Sequence, residues 1–266
     1  LLGEAVGGFE NCAERLGLHR SDGWNSGRAL SSASGERRAH RLAAIGCVLG
    51  LMCVACSPAE VRRGRRSMSE GHFEAAARHY ALAAADEPNN AARWRDLARA
   101  ELLAERPIHA RRAFRRLARL RPNDPRPVVE IGFTQELERD YDQALATYLE
   151  AVVVDPEDAY PYRVLGTRLL RWGKADEAIE PLARSVEIDP SHPETWKALG
   201  LAHHAAGQAD ASESAFRAGL EHHPSDLGLN LSLAALLINA GRFEPALEIY
   251  DRLIEVLPRF AAAHVG

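Results

Sequence analysis

The residues best suited to chemistry are two adjacent histidine pairs, His203-His204 and His222-His223, and four cysteines, Cys12, Cys47, Cys53 and Cys56. Imidazole and thiolate are the usual ligands of zinc, which needs several of them converging on one point. Neighbouring residues on a helix point about 100° apart, and neither a cysteine nor an HExxH motif accompanies either pair, so no metal site is expected. His203 falls at an inter-helix packing position and is read as a satisfied core histidine. All four cysteines lie at or before position 56, so no disulfide can staple residues 57–266. A cysteine-free body fits either redox compartment. No glycine-rich phosphate loop, nucleophile elbow or paired carboxylates with a supporting base occur. The expectation is a non-enzyme without catalytic residues, metal or cofactor.

With 46% hydrophobic and 26% charged residues, the 266-residue chain has an ordinary soluble composition, and function has to come from pattern. The net charge of −4 conceals a strong unevenness. Residues 91–124 hold ten arginines against four acidic residues, and residues 125–158 hold two arginines against nine acidic residues. Such neighbours attract each other or present a bipolar surface. With no reading motif alongside, the alternation argues against nucleic acid as a partner.

The elements that position these charges are set by an internal period. Prolines occur at 88, 122, 156, 190, 224 and 258, a constant spacing of 34. Twenty-four residues before each stands a small residue, Gly64, Ala98, Gly132, Gly166, Gly200 or Ala234, where two helices must approach closely. Twelve before each is Ala76, Ala110, Ala144, Ala178, Ser212 or Ala246, and eight before each is Tyr80, Phe114, Tyr148, Leu182, Phe216 or Tyr250. Trp94, Val128, Tyr162 and Trp196 open the units, with Leu97, Ile131, Leu165, Leu199 and Leu233 one turn on, which is helical core spacing. Gly71, Gly173, Gly207 and Gly241 divide the units into two amphipathic helices of about a dozen residues, and the proline ends the second.

In both period and residue size this helix-turn-helix unit resembles the tetratricopeptide repeat (TPR). The resemblance covers residues 57–260, with six units beginning near 57, 91, 125, 159, 193 and 227. It implies an all-α, right-handed solenoid of six stacked helix pairs. The domain reading is a first, degenerate repeat within 56–90, five further repeats over 91–260, and at 261–266 the start of a truncated seventh unit or cap. Glu60 and Arg63 occupy two positions of the first helix expected to be bulky and apolar, so that helix is expected to fray.

The resemblance also implies a binding surface. In the family the first helix of each unit lines a concave groove. By that register the groove carries Arg95, Arg99, Arg126, Arg163, Arg171 and Lys197, interleaved with Phe133, Tyr160, Leu170, Leu201 and His204. Arginine's planar fork suits carboxylates and aromatic faces, so the expected ligand is an extended peptide with acidic side chains or a free C-terminus. An equally available reading is a solvated arginine-rich helix face. Some members of the family clamp a chaperone's C-terminal carboxylate with lysine and asparagine. The corresponding positions here are Arg99, Phe133, Thr167 and Leu201, so chaperone binding is not expected.

No methionine precedes Met52, and residues 1–36 are read as a disordered or non-native extension. The basic run from Arg37 to Arg41 then leads into an uncharged segment, Leu42 to Ala55, which is short for a membrane span and suited to a signal peptide. Its end, Cys53-Val54-Ala55-Cys56, resembles a bacterial lipobox with cysteine in place of the usual leucine, which implies lipidation of Cys56. Ser57 after it implies the outer membrane, facing the periplasm. The sequence thus suggests a lipid-anchored protein-interaction scaffold, in architecture similar to the pilot lipoproteins of type IV pilus secretins. The alternatives are a cytoplasmic TPR adaptor and the interaction part of a larger multidomain enzyme. Expression in a Gram-negative host should show loss of the residues before Cys56, gain of acyl mass and recovery in the membrane fraction. Cys56→Ala should abolish all three, and intact mass with fractionation checks this.

Overall fold

The computed structural model describes residues 59–256, in twelve α-helices with no strand among the described residues. The chain divides into two compact units at Asp86/Glu87. The first contains α1 (Ala59–Ser69) and α2 (Phe73–Asp86). The second contains five helix pairs: α3 (Ala91–Leu103) with α4 (Pro107–Leu120), α5 (Arg126–Leu137) with α6 (Tyr141–Val154), α7 (Ala159–Arg171) with α8 (Ala175–Ile188), α9 (Pro193–Ala205) with α10 (Ala209–His222), and α11 (Leu227–Asn239) with α12 (Phe243–Val256). Helices α2, α4, α6, α8 and α10 each end two residues before a period-34 proline, whose ring excludes the helical conformation from the residue preceding it. The segments assigned to the extension, the signal, Cys56 and the truncated seventh unit lie outside the described residues.

Four of the pairs are closed by a glycine and a bulky residue sixteen positions apart. A Cβ built on Gly132 would stand 2.6 Å from Cε1 of Tyr148, and one on Gly64 2.7 Å from Cε1 of Tyr80. Gly166 meets Leu182 and Gly200 meets Phe216 in the same way. The bulky partner lies flat on helix backbone, and all four are buried. The intervening turn is the same in every pair. The residue fifteen into each unit adopts positive φ, and the next N–H bonds back five residues, as from Lys174 to the Leu169 carbonyl at 2.9 Å. Four units place glycine there, and the other two place Glu105 (φ 57°) and Arg139 (φ 62°), which the sequence pattern did not mark.

In three pairs of the second unit, a residue in the first turn of the first helix bonds the preceding period-34 proline. Trp94 Nε1 donates to the Pro88 carbonyl at 2.9 Å and Trp196 Nε1 to that of Pro190 at 3.0 Å. Asn230 supplies the same bond to Pro224 at 3.1 Å, so an amide replaces the indole at that register. In the second unit the first helices α5, α7, α9 and α11 contact one another and form an inner row, while α4, α6, α8, α10 and α12 lie outside it. A continuous core runs from Val128 to Ala215, and a second cluster from Phe216 to Ile249.

In the first unit, α1 is helical throughout and does not fray at its polar positions. Glu60 accepts from Arg63 at 2.6 Å and from His79 Nδ1 on α2 at 2.7 Å, so a hydrogen-bonded carboxylate replaces the missing apolar contact. These bonds, that from His79 foremost, hold the Glu60 carboxyl below its ordinary value.

A side chain at Gly132 must displace the Tyr148 ring or separate α5 from α6. Gly132→Val is expected to cost about 2 kcal/mol, as overpacked cores do. The denaturant midpoint of the variant should fall accordingly.

Candidate functional site

The site is built on the inner row. Asp158 caps α7, accepting from the backbone N–H of Tyr160 at 2.8 Å, and its second oxygen lies 3.7 Å from the Arg126 guanidinium. One carboxylate therefore fixes the start of a helix, the aromatic residue two places on, and a cation from the preceding pair. Arg126 stands 5.8 Å and Arg163 5.5 Å from the centroid of the Tyr160 ring, both at cation–π distance. Beside them is a cleft of about 630 Å³ whose walls include Asp158, Ser185, Asp189 and His192. Hydrogen bonds from Ser191 hold the half-exposed Asp189 carboxyl below its ordinary value.

Further along α5, Phe133 lies 5.4 Å beneath the guanidinium of Arg168, which pairs with Glu136 at 3.3 Å. Glu136 also accepts from the Tyr148 hydroxyl at 3.1 Å, linking the groove to the residue that closes the α5–α6 pair. Glu130 is half-buried between these groups and makes no hydrogen bond or ion pair among the described residues. Burial pushes its carboxyl above the ordinary value, against the opposing pull of Arg168. Burial first, and then Glu130, pushes the Tyr160 phenol up as well.

Between α9 and α11 the surface becomes apolar. A pocket of about 360 Å³ is lined by Leu201, His204, Phe216, Leu231, Leu236 and Asn239. No charged residue occurs in α11, and its Leu231 and Ile238 are about two-fifths exposed.

Of the residues expected in the groove, Arg126, Tyr160 and Arg163 thus form one cluster. Phe133 lies against Arg168, and Leu201 and His204 share the apolar pocket. Arg95, Arg99 and Arg171 are exposed and join neither group. Lys197 is bound to Glu194 at 2.5 Å, and the Thr167 hydroxyl is spent on the Arg163 carbonyl at 2.8 Å. The expected basic, partly apolar trough also holds acidic groups, since Glu130, Glu136 and Asp158 stand among its cations. Sequence reasoning passed over Glu130, Glu136, Arg168, Leu231 and Asn239. Glu136 was within reach, because it occupies the register position of Leu170 and His204. His203 is only half-buried, and its Nδ1 lies 2.8 Å from Gln208 rather than in a core. His222 stacks on Trp196 at 5.7 Å, and His223 Nε2 bonds the Pro190 carbonyl at 3.0 Å. Among the described residues no three histidine, cysteine or acidic side chains are grouped to hold a metal, and no helix is long and apolar enough to cross a membrane.

Tetratricopeptide-repeat family models match residues 138–193 and 203–264. The fold is an all-α TPR solenoid. Among solved structures, the C-terminal part of a TPR repeat-containing protein from Cytophaga hutchinsonii superposes with a TM-score of 0.61 at 17% identity, over 76% of this chain and 81% of that one. MamA (41-end) from Desulfovibrio magneticus RS-1 gives 0.54 at 21% identity, over 64% of this chain and 96% of that one. YrrB, described as a TPR protein with an unusual peptide-binding site, gives 0.52 at 20% identity, over 67% and 92%. No curated protein matches the sequence. At these identities the TPR likeness is one of fold.

The raised Glu130 carboxyl fixes the sign of a pH effect on this TPR core. A carboxyl pushed up on folding binds more protons in the folded state, so its cost is absent below the unfolded value of about 4.5 and grows as pH rises through the folded value. Glu130→Gln should therefore raise the melting temperature at neutral pH and leave it unchanged well below pH 4.5, measured by thermal melts across pH.

Proposed function

We propose that this chain is a non-catalytic protein-interaction scaffold whose inner helix row binds an extended peptide. The observation that carries the reading is the Tyr160 ring within cation–π distance of both Arg126 and Arg163, beside a cleft open to solvent. Two guanidiniums on a partly buried aromatic ring are held in place before any ligand arrives, which lowers the entropy lost on binding a carboxylate. The apolar pocket between α9 and α11 lies two helices further along the same row. With helix axes about 8–10 Å apart and an extended chain rising about 3.3 Å per residue, the two features are some five residues of peptide apart. The ligand is then a segment with acidic side chains at one end and an apolar anchor at the other.

Peptide binding described for YrrB, a protein of the same fold, supports the class of ligand. The anchoring of this scaffold through an acylated Cys56 at the periplasmic side of the outer membrane, for instance in pilus or secretion-system assembly, is part of the same proposal and rests on the lipobox-like segment alone.

A phage-displayed random peptide library panned on the full chain tests the groove. The expected selection is acidic residues spaced about five positions from a large apolar one, on the helix spacing above. The Arg126→Glu/Arg163→Glu variant should lose the acidic preference while retaining the apolar one. A selection with no acidic bias, or one unchanged in the variant, would overturn the reading.

A further inference from the structure

The outer row carries a second pattern, unconnected with the groove. Four positions of α4, α6 and α8, spaced i, i+4, i+7 and i+11, share one helix face and are exposed at all but Ala183, which packs partly on the core. In α4 they are Ile108, Arg112, Arg115 and Arg119, in α6 Asp142, Ala146, Leu149 and Val153, and in α8 Asp176, Glu180, Ala183 and Glu187. Three successive units thus present a basic stripe, an apolar stripe and an acidic stripe at one register.

The contrast does not stop at these positions. Helix α4 contains five arginines and no acidic residue, while α8 contains four acidic residues and one arginine. Leu149 is 50% and Val153 76% exposed, on a helix whose opposite face is fully buried at Ala144, Tyr148 and Ala151. Part of the charge is used within the chain, Glu187 pairing with Arg184 and Glu177 with Lys174, each at 3.3 Å. Arg111 pairs with Glu138 across the repeat boundary, but the Arg112 and Arg115 guanidiniums and the Glu180 carboxylate make no hydrogen bond or ion pair among the described residues.

We infer that this face is a self-complementary docking surface whose occupant is a second copy of the chain. A basic, an apolar and an acidic stripe in that order fit their own image under one symmetry operation. A two-fold axis lying in the interface along α6 sets α6 on its counterpart, α4 on the partner's α8, and α8 on the partner's α4. The other in-plane axis, across the helices, sets arginine on arginine and glutamate on glutamate, so the charges select between the two arrangements. Leu149 and Val153 then lie at the seam, where water is excluded. The small rotation between successive pairs bends α4 and α8 away from the seam, and arginine and glutamate are long enough to reach across. Three helices of 14 residues, each about 21 Å long and roughly 10 Å wide, cover a patch on the scale of the ~800 Å² per partner of a standard interface. A different acidic protein could satisfy α4 alone, but it leaves the α6 and α8 stripes unexplained.

The test is sedimentation velocity of the full 266-residue chain in detergent. The wild type is expected to be a dimer at micromolar concentration. Leu149→Asp should weaken it by at least about tenfold, as a buried unpaired charge does. The Arg112→Glu/Arg115→Glu/Arg119→Glu variant and the Glu180→Lys/Glu187→Lys variant should each be monomeric, with helical content unchanged by circular dichroism. Mixed one to one, these two monomeric variants should form a heterodimer, because both charge contacts are then restored. Carrying all five substitutions in one chain should restore the homodimer. A monomeric wild type, a dimer indifferent to either charge reversal, or a mixture that stays monomeric would each overturn the proposal. Association through the apolar segment at 42–55 gives the second of these results.

Discussion

A glycine or alanine in the first helix of each pair, facing a large ring or leucine sixteen residues later, governs the geometry from which the rest follows. The side chain absent at Gly132 lets the Tyr148 ring lie on the helix backbone, and that ring buries completely. Dispersion and water exclusion over so close a contact lock the two helices at a fixed distance. The left-handed turn residue and its backward hydrogen bond then set the angle. Because the glycine-bearing pairs repeat the same contact, they are near copies of one another, and within the second unit a row of equivalent positions becomes a surface.

Two such rows in the second unit are used differently. The inner row collects side chains from successive first helices, and part of its charge is compensated: Arg168 by Glu136 and Lys197 by Glu194, while the exposed Arg126 is held only loosely, 3.5 Å from Asp124 and 3.7 Å from Asp158. What remains available there is the Arg163–Tyr160–Arg126 stack and the apolar pocket beyond it. The outer row keeps its charges segregated by helix. Compensation within a chain favours stability and selective contact, whereas the segregated charges left unpaired at Arg112, Arg115 and Glu180 leave long-range attraction to act between molecules.

The buried polar groups follow the same division. At the eleventh position of their units Glu101, Gln135 and His203 replace the leucine found in α7 and α11, and each reaches a polar group at or just beyond the turn, Arg106, Gln143 or Gln208. Each keeps a polar partner at the turn, although the buried Oε2 of Glu101 and Oε1 of Gln135 accept no hydrogen bond and carry that desolvation cost. Glu60 and His79 in the first unit are a second case, and they explain how a helix with two unexpected polar residues stays regular.

The sequence by itself determined the repeat length, the helix boundaries and the packing positions, because sterics enforce them locally. A proline stops a helix wherever it stands, and a missing side chain opposite a large one can be read as a period. It did not mark Glu105 and Arg139 as left-handed residues, since the turn is imposed on them by the hydrogen bonds of their neighbours rather than by their own preference. Nor did it separate the arginines that matter from those that do not. Arg126 and Arg163 share Tyr160, while Arg95 and Arg99 share nothing, and that difference depends on distances between units 34 residues apart. Only the tertiary structure decided which charges meet, because pairing falls off within a few ångströms and the repeat pattern fixes which helices are neighbours, not where each long side chain ends.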